Sequence, residues 1–148
     1  MTTATTYDWP RIVFNSHYEA LVAIEEAMRN EDYDEARMGL EELTNAVSQI
    51  DRRSLRSHLT RLMMHILKWK VQPERRGKSW RLTIKHARRE ISRIQEYTPS
   101  ITDETIEQMW DQCFRDARED AAEEMELEIR TDSLSWQEVF DDEYVLEK

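Results

Sequence analysis

Apolar side chains recur every three to four positions along five stretches of the chain, the spacing that puts them on one side of a helix. The first stretch starts after Asn15 or Ser16, where Ser16 and Glu19 form a capping-box pattern, and frays near Asn30. Its apolar side is read as Tyr18, Leu21, Ala23 or Ile24, and Met28. The second begins near Asp32, with acidic residues in its first turn, and lines up Ala36, Leu40, Leu43, Val47 and Ile50. A bend at Asp51–Ser54 is expected before the third, in which Leu55, Leu59, Leu62, Ile66 and Trp69 continue the spacing. Met63 and Leu67 widen that stripe, making it the most buried, and Pro73 ends it.

The fourth stretch carries Trp80, Ile84, Ala87, Ile91 and Ile94 on one side and stops before Pro99. The fifth starts around Thr102, turns Ile106, Met109 or Trp110, Cys113 or Phe114, Ala117 and Ala121 inward, and becomes very acidic toward Glu128. A second capping-box pattern, Ser135 with Glu138, announces a short closing helix around Val139 and Phe140. Residues 1–14 read as an irregular arm with Trp9-Pro10 as a breaker. Residues 15–148 read as one domain. The expectation is an all-α, single-domain bundle of five main helices plus a short C-terminal helix, joined mostly up-and-down by short loops.

Composition supports that pattern. The chain has 148 residues, room for one domain with a real core, and only 2 glycines and 3 prolines to punctuate helices. No run approaches the roughly 18 apolar residues of a membrane span. The Thr-rich start lacks the basic and apolar regions of a signal peptide, and the single cysteine, Cys113, allows no internal disulfide, so a cytoplasmic location is expected. Charge changes the picture more. Residues 51–96 hold 14 Lys/Arg against 4 Asp/Glu, while the rest of the chain holds 7 against 27. A basic centre between acidic ends has two readings: acidic helices neutralise basic ones internally, or a basic face is kept for an anionic partner.

The most distinctive segment runs from Leu62 to Ile84, two amphipathic stretches joined by a charged turn flanked by Trp69 and Trp80. Gly77 is expected to supply a positive φ there and Ser79 to cap the fourth helix. Arg75, Arg76 and Lys78 then lie near a helix N-terminus, where the dipole disfavours cations, so a carboxylate neighbour or an external anion is expected to offset them. The bland reading is a rigid corner held by salt bridges.

Leu62, His65, Leu67, Lys68 and Trp69, then Gln72-Pro73-Glu74-Arg75-Arg76, then Ser79-Trp80-Arg81 with Thr83 and Ile84, resemble the hallmark of a bacterial domain-of-unknown-function family, number twenty-nine. Arg88, Arg89 and Ile91 resemble its basic continuation, Asp116-Ala117-Arg118 with Ala121-Ala122 its late helix, and Trp136 to Leu146 its closing segment. The resemblance covers roughly residues 35–147. It implies an all-helical fold and supplies no activity.

Candidate chemistry is sparse. His58 and His65 share a face, with Trp69 one turn past His65, which reads as an imidazole hydrogen-bonded within the bundle; a metal site needs more ligands. His17 and His86 have no ligand-like spacing. Asp116, Asp120 and Glu124 repeat every fourth residue, but no Glu-x-x-His accompanies them, so a solvated acidic face pairing with Arg88, Arg89 or Arg93 is preferred over a di-metal site. No nucleophile elbow, phosphate loop or His-Glu-x-x-His is present. Cys113 reads as a small core residue. The expectation is therefore no enzyme, no cofactor, no metal and no membrane.

The leading reading is an interaction or regulatory module that takes a protein partner or a second copy of itself. Its contact surface is read as Arg75, Arg76, Lys78, Ser79, Trp80, Arg81, Lys85, Arg88 and Arg89, with His65, Asp116 and Arg118 as buried polar groups. The alternatives are a nucleic-acid binder using Arg81, Lys85, Arg88 and Arg89, and an enzyme with a pocket near His65 and Trp80.

Overall fold

A computed structural model describes residues 7–147, and among them every regular element is helical. In chain order these are α1 (Trp9–Asn15), α2 (His17–Arg29), α3 (Tyr33–Val71), a 3-10 turn (Pro73–Arg75), α4 (Lys78–Tyr97), α5 (Asp103–Met125) and a π-helical turn (Gln137–Asp141). The all-α expectation holds, with two changes in how the chain is cut.

Residues 9–14, expected to be irregular, belong to α1. Pro10 sits in its first turn, where a missing N–H costs nothing, so it starts the helix rather than breaking it. Of the rest of the expected arm, residues 1–6 lie outside the described residues. The bend expected at Asp51–Ser54 is absent: α3 runs 39 residues without interruption. Asp, Arg, Arg and Ser carry no helix-breaking geometry, and only glycine or proline there would have removed a bond or a constraint.

Three other helix starts fall where they were read. Ser16 Oγ accepts from Glu19 N–H at 3.2 Å and starts α2. Thr102 N–H donates to Thr105 Oγ1 at 3.2 Å at the start of α5. Glu126, in the left-handed region at φ 54, closes α5. The Ser135–Glu138 box forms in both directions, at 3.0 and 3.1 Å, and launches the π turn.

The chain divides into two compact units, one ending at Asp51 and one beginning at Arg52. The first buries Trp9, Val13, Ala20, Ile24, Ala27, Ala36 and Leu43. Trp9 anchors it: its indole N–H donates to the buried Glu35 carboxylate at 2.8 Å, and its ring lies over Gly39, where a Cβ would come within 2.7 Å of the ring. The expected face of α2 is rotated. Ala20, Ile24 and Ala27 are inside, while Tyr18, Leu21 and Met28 are exposed. On α3, Leu40, Val47 and Ile50 are likewise exposed, although they repeat in register with the buried Ala36 and Leu43.

The second unit has the larger core. Leu55, Leu59, Leu62, Met63, Ile66 and Leu67 on α3 have no exposed surface, and they pack with Ile84 and Ile91 of α4 and Ile106, Cys113 and Ala117 of α5. The C-terminal segment seals this core with Val139 and an aromatic group, in which Trp136 stacks on Trp110 at 5.5 Å and Phe140 lies 4.5 Å from Trp136.

Candidate functional site

The basic segment is where the sequence placed function, and the structure sorts its cations into two kinds. Some are tied down inside the second unit. Lys68 is buried, pairs with Glu124 at 2.8 Å and sits 5.8 Å over the Trp80 ring. Arg76 turns back across the corner, donating from Nε to the Trp69 carbonyl at 2.7 Å and stacking 5.2 Å over its ring. That carbonyl is freed because Pro73 stops α3 before its last turn is satisfied.

Arg88 is the clasp of the C-terminal segment. It donates to the Val139 and Glu138 carbonyls at 2.8 and 3.2 Å and lies 5.5 Å over Tyr144, and burial lowers its pKa. Tyr144 donates its hydroxyl to the Glu138 carbonyl at 2.6 Å and meets Trp69 edge-on; burial pushes its pKa up to about 12. Lys70 pairs with Glu138, and that bond, with the Ser135 N–H, holds the Glu138 carboxyl below its ordinary range. Arg118, half-buried, donates to the Thr131 carbonyl at 3.3 Å and lies 5.4 Å over Phe114. Thus Arg76 and Arg88, read as contact residues, are spent on internal carbonyls.

The other kind faces solvent. Lys78, Arg81, Lys85 and Arg89 are exposed, and their spacing of three, four and four residues puts them on one stripe of α4. Among the described residues none of them is in an ion pair, and Arg75 at the corner is exposed too. α4 begins at Lys78 with Gly77 as its cap, so Ser79 lies one residue inside the helix and does not cap it. Gly77 has φ −150, extended backbone rather than the positive value expected. The Ser79 carbonyl accepts from Thr83 Oγ1 at 3.0 Å.

Beside the stripe, α3 and α4 leave a cleft of about 580 Å³. Leu82 and Ala87 are its apolar lining, Arg61, Lys78, His58 and His86 are among its polar groups, and Glu90, paired with Arg93, brings one carboxylate. From the sequence, His58 reads as an imidazole hydrogen-bonded within the bundle and His86 as lacking ligand-like spacing, and Arg61 carries no signal. No local pattern marks them, because they converge only through the register of two helices some twenty residues apart.

The acidic repeat of α5 does not reach Arg88, Arg89 or Arg93. Asp116, Glu119, Asp120 and Glu124 form one wall of a groove whose other wall is Arg53, Arg56, Arg61 and Lys68 of α3. Arg93 pairs with Glu90 on its own helix. His65 opens on this groove, with Nδ1 2.9 Å from the Arg61 carbonyl, which fixes Nδ1 as the protonated nitrogen. Burial lowers its pKa from 6.5, and the hydrogen bond only partly opposes this. Asp116 is half-buried and accepts from Gln112 at 3.0 Å. Cys113 is buried 3.8 Å from the Arg56 carbonyl, and burial raises its pKa, so its thiol is shielded and protonated. Among the described residues no group of three His, Cys, Asp or Glu side chains could hold a metal ion, and no helix is long and apolar enough to cross a membrane.

Compared with known proteins, the chain matches the family model described as domain of unknown function DUF29 over residues 23–147. No curated protein and no solved structure matches it.

Proposed function

The chain belongs to the family of domains of unknown function DUF29, and from that starting point we propose that it is a non-enzymatic interaction module that receives an acidic segment of a partner protein along α4. The observation that carries this reading is the unpaired stripe Lys78, Arg81, Lys85 and Arg89. The same unit engages Lys68, Lys70, Arg76, Arg88, Arg93 and Arg118 on carbonyls, carboxylates and rings, whereas these four face water in a row on one helix and are available for an outside anion. The stripe spans about 17 Å, the rise of eleven residues of helix. The adjoining cleft offers Leu82 and Ala87 to an apolar side chain of the same segment, while Arg61 and Lys78 meet its carboxylates.

The test is a fluorescence-anisotropy titration with a labelled peptide of glutamates interrupted by leucine. Binding is expected to weaken with salt and to fall about tenfold or more on Arg81→Glu with Lys85→Glu, since charge reversal replaces attraction with repulsion. No binding at low salt ends the reading. Tighter binding of a duplex DNA probe than of the peptide also ends it, and assigns the stripe to phosphates.

A further inference from the structure

We propose that the first unit carries a second, separate contact surface, formed by α2 and the start of α3, that pairs with the same surface of a second copy of this chain. The inference stands on the first unit alone and does not rest on the reading of α4.

α2 and α3 form a hairpin. Ile24 packs against Gly39, and the two are nearly equidistant from the 30–32 turn, so the helices run back along each other. On α2 the buried positions are Ala20, Ile24 and Ala27; on the part of α3 before Arg52 they are Glu35, Ala36, Gly39 and Leu43. α1 lies against one flank of this contact, through Trp9 on Glu35, Gly39 and Ile24.

The opposite flank is bare and apolar. Leu21 and Met28 each follow a buried alanine by one position, about 100° round α2. Tyr33, Leu40 and Val47 are seven residues apart and lie about as far round α3 in the same sense. Equal turns on antiparallel helices point to the same side of the hairpin. The five side chains are 49%, 50%, 57%, 48% and 42% exposed. Among the described residues, ten of the fourteen exposed large hydrophobic ones lie at or before position 50. Single exposed apolar residues are ordinary, but a continuous row across two helices marks a contact surface.

Three observations commit the face to a second copy. The first is size. The face is roughly 27 Å long and 18 Å wide, or about 500 Å² in projection and more over its side chains, which approaches the roughly 800 Å² per partner of a stable dimer. The second is self-complementary charge. Arg37 and Glu41 stand one turn apart beside Leu40, bordering a shallow groove with Thr44 and Asn45. A two-fold axis crossing α3 near Gly39 sets each Arg37 against the second copy's Glu41, and symmetric pairing of this kind is what an isologous interface requires. The third is need. Three of the seven apolar residues in this unit's core are alanines, a small core for a unit of about fifty residues, and such units gain stability by association. Two hairpins face to face make a four-helix bundle.

The experiment is sedimentation velocity on the full chain from low micromolar to near-millimolar concentration, at low and high salt. A monomer–dimer equilibrium is expected, and salt should strengthen it, because the first 51 residues carry 11 acidic against 3 basic side chains and repel at long range. Peptide binding on α4 carries the opposite salt sign, so the two proposals fail separately. Leu40→Glu is expected to raise the dimer dissociation constant about 100-fold, since two charges are buried per dimer. Its circular-dichroism spectrum should be unchanged, because the position is exposed. Arg37→Glu should cost about tenfold, and adding Glu41→Arg should restore most of it. A chain that stays monomeric at the highest concentration overturns the proposal. A dimer indifferent to Leu40→Glu but broken by Leu82→Glu on α4 overturns it equally, and so does a double charge swap that restores nothing.

Discussion

The part of the chain before Arg52 and the part after it are made of the same kind of amphipathic helix, yet they hide their stripes to different extents. In the later part every position of the Leu55–Leu67 row is enclosed, because α4, α5 and the C-terminal segment surround α3. In the earlier part only the flank facing α1 is enclosed, and Leu40 and Val47, in the same periodic row as Leu43, are left half in water. Periodicity tells which residues can be buried; the number of neighbouring elements tells which of them are. The second unit is thus self-sufficient in apolar cover, and the first presents what it cannot cover.

That contrast can be broken most directly at Leu62. Leu62→Ala should cost about 3 kcal/mol in urea unfolding followed by circular dichroism, whereas Leu40→Ala in the dilute monomer should cost less than about 0.5 kcal/mol. Comparable losses would mean the two units are not differently packed. The same titration tests the proposal that residues 15–148 behave as one domain: a single transition shifted by Leu62→Ala supports it, and two transitions of which one moves refute it.

A smaller effect is expected at the clasp. Arg88→Met removes two hydrogen bonds to tail carbonyls and the contact with Tyr144, and should cost about 2 kcal/mol. It should also deprotect amides around 136–144 in hydrogen exchange while leaving α2 unaffected. If the tail stays protected, the aromatic contacts of Trp136 and Phe140 hold it unaided.

In the first unit, Gly39→Ala improves helix propensity by about 1 kcal/mol but drives a methyl into the Trp9 ring, which the Glu35 hydrogen bond holds in place. A net loss of about 1 kcal/mol is expected, read from tryptophan fluorescence on heating. A gain in stability would show that Trp9 is free to move and that this core is looser still.

The smallest effect concerns pH. His65 has a folded pKa below 6.5, so the unfolded chain takes up the proton first. Its contribution is present above 6.5 and is lost as pH falls through the lowered folded value. The melting temperature should therefore drop from pH 7.5 to 5.5 more in the wild type than in His65→Gln. Equal drops would place the acid sensitivity elsewhere.

Much of the fold was legible in the chain. Ser16 with Glu19, Ser135 with Glu138, Pro73, Pro99 and the scarcity of glycine set helix ends within a residue or two, because caps and breakers act through local hydrogen bonds. The candidate contact surface was legible only as a count of cations. Arg81, Lys85 and Arg89 point outward as read, but Arg76 and Arg88 do not, since the carbonyls that claim them belong to Trp69 and to Glu138 and Val139. Those acceptors come within reach only when a helix end and a distant segment meet.

By itself, then, the sequence determined the helical class, the start and stop of most helices and the excess of positive charge at its centre, all of which follow from interactions within a few residues. Tertiary structure decided the rest: that the α5 acids face α3 rather than α4, which arginines are occupied, and which apolar row stays uncovered. Each of these depends on groups brought together from distant positions, and spacing along a chain carries no information about what will stand opposite.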